Sequence, residues 1–179
     1  MKRLILALLL IPALVKAQNT ELPLVNGEVS YEKVITLNDA TKSQIHGYAR
    51  AWYDTYVRNW STSTKKVDDS NAGQFAIKSM KKASYKGMLG ADKEMEIEYL
   101  VTILSKDGKA KIILNGVKVI DPSIRNGNYS TLSPDVDLVK TNEQAKNGKK
   151  EAVKIVDMVN TEMTNLFNSI EKAMTANNF

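Results

Sequence analysis

Two runs near the middle of the chain, MEIEYLVTIL (95–104) and KAKIILNGVKVI (109–120), flank the tetrapeptide Lys106-Asp107-Gly108-Lys109. An Asp-Gly pair between two apolar runs is the strongest short-range signal for a β-hairpin, because glycine supplies the left-handed conformation that the turn requires. Side chains alternate along a strand. Over 94–104 this puts Met95, Ile97 and Tyr99 on one face and Glu94, Glu96 and Glu98 on the other. The centre of the chain is thereby committed to antiparallel sheet with one face to be buried and one carrying carboxylates. Asn115-Gly116, inside the second run, reads as a β-bulge.

The cover for the apolar face comes from two helical segments. In SQIHGYARAWYDTYVRNW (43–60), Tyr48, Trp52, Ile45, Tyr56, Ala49, Trp60 and Tyr53 fall in one arc at 100° per residue, opposite Gly47, Arg50, Asp54 and Arg58. Trp52, Ile45 and Tyr56 are central to that arc and read as core; Tyr48 and Tyr53 lie at its margins, and His46 at its edge. The C-terminal region, 142–176, reads as one long helix, regular over roughly 149–176, where it carries one apolar stripe: Ala152, Ile155, Val156, Val159, Met163, Leu166, Phe167, Ile170, Ala173 and Met174. At 1.5 Å per residue that helix runs about 40 Å, longer than a ten-residue strand at about 33 Å, so the end near Phe167, Ile170 and Met174 is expected to overhang the sheet.

The remaining strands are weaker. Glu28–Leu37 alternates, with Val29, Tyr31 and Ile35 on one face; 61–69 (STSTKKVDD) reads as a lysine-guarded edge strand; SNAG (70–73) is a turn; Gln74–Met80 carries Phe75 and Ile77 on one face. Residues 83–93 read as a glycine-containing loop and 121–141, with two prolines, as a long irregular connection. The resulting order is β-α-β-β-β-β-α, and antiparallel strands with helices gathered on one face define an α+β domain.

The N-terminus, MKRLILALLLIPALVKAQ, has two basic residues, an apolar run from Leu4 to Val15, and small side chains suited to cleavage after Ala17. This is the layout of a secretory signal peptide (1–17), and the run is shorter than the roughly 20 residues that span a bilayer. The chain is therefore expected to be exported, periplasmic or extracellular, with no stable membrane anchor. What remains is a single domain over 18–179 with a lead-in at 18–27. Loss of Lys2, Arg3 and Lys16 takes the charge from 25 basic and 20 acidic residues to 22 and 20, that is from +5 to +2. Such a balance lacks the basic footprint of a nucleic-acid binder. With no cysteine, disulfides, thiolate ligands and a cysteine nucleophile are excluded.

These features, with the opening ELPLVNGEVSYEKVITL (21–37), the helix YARAWYDTYV (48–57) and the turn DDSNAG (68–73), resemble a family of small secreted bacterial proteins of unknown function with a TATA-binding-protein-like fold. The resemblance implies the α+β fold and assigns no activity or cofactor.

Motifs for chemistry are sparse. His46 is the only histidine, and neither a Gly-x-Ser-x-Gly elbow nor a Walker-type loop occurs. Gly87-Met88-Leu89-Gly90 has the GxxG spacing of an RNA clamp but lies between strands. Asp68–Gly73 fails the calcium-loop pattern at its third, fifth and twelfth positions. Asn59-Trp60-Ser61 and Asn128-Tyr129-Ser130 match a glycosylation sequon. The expectation is a non-enzymatic binding domain with no cofactor or metal, meeting a protein partner or its own copy through the sheet face that the helices leave open. That face carries Met80, Lys78, Glu96, Glu98, Leu100, Thr102 and Leu104, and the helix end at Ile170 is a second contact. Two other readings are a carbohydrate- or cell-wall-directed hydrolase using Asp135 and Asp137, and a small-ligand binder using Tyr48, Tyr53 and Trp60.

Overall fold

The computed structural model describes residues 21–57, 62–87, 90–126 and 134–176, with the side chains of Arg125 and Asn126 left aside. The expected signal peptide (1–17), Arg58, Trp60, both sequons and the centre of the GxxG segment lie outside the described residues.

Strands β1 (Leu24–Val25) and β2 (Glu28–Val29) form a separate small hairpin. They are followed by β3 (Tyr31–Thr36), α1 (Lys42–Trp52), a π-turn (Tyr53–Val57), β4 (Thr62–Asp69), β5 (Gln74–Lys86), β6 (Asp92–Lys106) and β7 (Lys109–Ile120). Then come α2 (Pro122–Asn126), β8 (Asp135–Val136), α3 (Leu138–Lys146) and α4 (Lys150–Ala176). The main sheet runs β3-β7-β6-β5-β4, with β8 also paired to β7, and every pairing in it is antiparallel.

The hairpin signal is realised: Lys106 pairs with Lys109 around Asp107-Gly108. The bulge is realised too. Leu100 pairs with Asn115 but Glu98 with Lys118, so two steps along β6 match three along β7, and Gly116 takes φ +58°. The β4–β5 turn is tied down where a side chain could not fit. A Cβ on Gly73 would come 2.6 Å from the Ser105 carbonyl oxygen, and the Ser105 N–H donates to the Gly73 carbonyl at 2.7 Å.

One face of the sheet is covered by α1 and α4. Phe75, Ile77, Met95, Ile97, Tyr99, Val101, Ile103, Ala110, Ile112, Leu114 and Ile35 are buried beneath them, as is every residue of the α4 stripe. Polar contacts set the position of α4 on the strands. Tyr31 donates to Asn160 at 2.8 Å, Lys33 pairs with Glu171 at 2.6 Å, Lys81 pairs with Glu162, and Tyr85 donates to Glu151 at 2.6 Å. Trp52 ties α1 to α4 by donating its indole N–H to Ser169 Oγ at 3.0 Å.

Four expectations are corrected. First, β5 continues to Lys86 and β6 starts at Asp92, so most of the expected 83–93 loop is strand; Ala83 and Tyr85 keep the alternation and are buried. Second, the C-terminal region is two helices, because Gly148 at φ +75° reverses the chain between α3 and α4, as glycine does after a helix end. Third, the helix end does not overhang: Phe167, Ile170 and Met174 are buried, since α1 lies against α4 and completes the cover. Ile170 is thereby removed from the accessible surface. Fourth, the π-turn after Trp52 breaks the 100° phase. Tyr53 and Val57 turn inward and are buried, whereas Tyr56 is only partly so.

Candidate binding surface

The uncovered sheet face can be assembled row by row from strand register. Opposite Leu104 on β6 lie Gln74 on β5 and Lys111 on β7, with Val34 beyond on β3. The next row holds Val67, Ala76, Thr102, Ile113 and Glu32, and the one after it Thr64, Lys78, Leu100 and Asn115. Below these come Thr62, Met80, Glu98 and Lys118, then Lys82, Glu96, Ile120 and Asp135. The face thus has an apolar half around Thr102 and a charged half toward the far end of the hairpin.

Exposure follows that division. Val34 is 59% and Leu104 36% exposed, while Leu100, Ile113, Met80 and Val67 are partly covered by their neighbours. In the charged half, acidic β6 lies between strands carrying lysines at the opposing positions. Lys78 contacts Glu98 at 2.8 Å, and Lys82 and Lys118 stand directly across from Glu96 and Glu98. At the margins Lys111 contacts Glu32 and Lys86 contacts Asp92, each at 2.8 Å. Cross-strand pairs of opposite sign are mutually favourable, so the charges of this face are largely answered within the face.

The structure places Met80, Glu96, Glu98 and Leu100 together here, with Lys78, Thr102 and Leu104. Sequence reasoning left out the contribution of the flanking strands: Ile113, Val34 and Val67. Their signal was the alternation on β7, β3 and β4, which becomes informative once the strand order is known.

The other groups singled out do structural work. His46 is 2% exposed, its Nε2 lies 2.9 Å from Asp68 Oδ1, and its ring meets Phe75 edge-on. It is a core residue, not a boundary one. Burial by itself raises the Asp68 pKa; the hydrogen bond with His46 and the charges of Arg50 and Lys65 outweigh that and hold the carboxyl below its usual value. Asp69 accepts from the Ala72 N–H at 2.9 Å, which makes Asp68–Gly73 a turn. Asp137 caps α3 by accepting from the Lys140 N–H at 3.0 Å, and Asp135 lies on β8 across from Ile120. Tyr53 is buried with its hydroxyl 3.1 Å from Ser63 Oγ and Lys65 over its ring. Among the described residues no group of three His, Asp or Glu side chains is placed to hold a metal ion, and no helix is long and apolar enough to cross a membrane.

An antiparallel sheet with two helices on one face and a broad, open opposite face defines a TBP-like α+β domain. Residues 31–119 match the family model described as a domain of unknown function (DUF4468) with TBP-like fold. Two solved structures share the fold. A TBP-like protein from Parabacteroides distasonis superposes with a TM-score of 0.64 at 16% identity, covering 85% of this chain and 96% of its own. A DUF4468 family protein from Bacteroides ovatus gives 0.56 at 14% identity, covering 83% and 90%. The search of curated proteins returned no match. The family and the α+β architecture expected from the sequence are thus borne out.

Proposed function

We propose that this chain is an exported, non-catalytic binding domain whose open sheet face takes a protein partner with a flat, largely apolar surface of little net charge. The observation that carries this reading is the composition of the face: Leu104, Val34, Leu100 and Ile113 lie beside lysines and glutamates that already pair with each other. A strongly charged partner finds no excess of opposite charge to meet. A near-neutral apolar one removes Leu104 and Val34 from water at roughly 25 cal/mol per Å². The carboxylates of β6 also disfavour a phosphate backbone, which needs clustered cations.

The test is site-specific photo-crosslinking in the native host, with the crosslinker at Leu104 or Val34 on the open face and at Asp157 on α4. A discrete adduct from the open-face positions alone, abolished by Leu100→Glu, is expected. Adducts from Asp157 alone, or from all three positions equally, would overturn the reading. An adduct of twice the chain mass would identify the partner as a second copy.

A further inference from the structure

The hairpin β1–β2 is attached to the domain differently from every other strand. It forms its own two-stranded sheet, closed by a tight turn in which Asn26 and Gly27 both take positive φ, 53° and 80°. A two-stranded hairpin alone is marginally stable in water, and Leu24 and Val25 are exposed. Its hold on the body comes from Val29, which is 5% exposed and packs into the core, and from the residues just before the hairpin. The Leu22 N–H donates to Asn142 Oδ1 at 2.7 Å, and Asn142 Nδ2 donates back to the Leu22 carbonyl at 3.4 Å. Asn142 is 2% exposed and Leu22 4%, so one buried side-chain amide from α3 is devoted to the main chain of one residue. Around this key the further polar contacts are superficial: Glu21 with Lys146 at 2.9 Å, both well exposed, and Asn160 Nδ2 donating to the Glu21 carbonyl at 3.2 Å.

Beside the key the hairpin forms one wall of a cleft of about 270 Å³. Gly27, Glu28 and Val29 face the β7 bulge and the segment from Asp135 to Val139 across it.

We propose that residues 21–29 are a strap, keyed by Asn142, that opens as a unit at Ser30 while the main sheet and α4 stay folded. Opening joins the cleft to the seat of Leu22. This inference is independent of the open sheet face.

The test is native-state hydrogen exchange on the protein and two variants. In the parent protein the Leu22 and Ser30 amides, which donate to Asn142 and to the Pro23 carbonyl, are expected to exchange through one common opening. That opening should be at least about a thousandfold more populated than the one exposing Ile103 and Ile112, in keeping with the spread between local and global unfolding. Asn142→Leu should speed Leu22 and Ser30 about tenfold, the scale of a buried hydrogen bond lost, and leave Ile103 and Ile112 unchanged. Lys146→Ala, which removes an exposed pair, should change them less than about threefold. Strap amides as slow as Ile103 in the parent protein would overturn the proposal, and so would acceleration of strap and sheet alike by Asn142→Leu. Should Asn142→Leu fail to fold, the parent measurement alone decides.

Discussion

Ile103 and Leu104 are consecutive residues of β6, and one step of the chain carries the side chain from a dry, helix-covered interior to water: Ile103 is 0% exposed, Leu104 36%. The two faces of this sheet are built from the same strands and the same alternation, yet they solve different problems. On the covered face, lysines and glutamates reach between layers: Lys33 to Glu171 and Lys81 to Glu162 join sheet to helix. On the open face they reach sideways within one layer, Lys78 to Glu98 and Lys111 to Glu32. The first arrangement fixes where α4 lies; the second only keeps a solvated surface near neutrality.

That difference orders the expected effects of substitution. Ile103→Ala should lower unfolding free energy by about 2–5 kcal/mol, the cost of a buried cavity, whereas Leu104→Ala should cost less than about 1 kcal/mol; urea denaturation of the two variants side by side measures the contrast. Glu162→Ala leaves Lys81 between the sheet and α4 without that carboxylate, and should cost about 1–3 kcal/mol in the same assay. Acid should reveal the edge of the covered face. Asp68 has a folded pKa below its usual 3.8, so its contribution to stability is present above that value and is lost as the pH falls through the folded one. Asp68→Asn should therefore be less stable than the parent at neutral pH, with the gap closing toward pH 2, as read by thermal melts across pH. Smallest of all, Lys78→Ala should shift stability by less than about 1 kcal/mol, as exposed pairs do, with the difference shrinking further in 1 M salt.

What the sequence disclosed followed the same division. Strands whose alternation is strongly apolar on one side were legible, as were the α1 arc and the α4 stripe, because burial there is won by large hydrophobic side chains. The misses lie where burial is carried by something else. Helix α3 is short and packs inward with Thr141 and Asn142 as well as Leu138 and Ala145, so no apolar period announces it. The far half of β5 buries only Ala83 and Tyr85 amid lysines and serines. His46 looked marginal because its partner, Asp68, comes from a strand 22 residues away. The open face was readable on β5 and β6, but its width depended on a strand order that only pairing reveals.

The widened turn at Tyr53–Val57 has a consequence for the phase of the helix. A π-turn takes one residue more than a regular α-helical turn, and here it turns Tyr53 and Val57 into the interior. A relative lacking the extra residue should show an uninterrupted α1, with the position corresponding to Tyr56 taking over the inward-facing role.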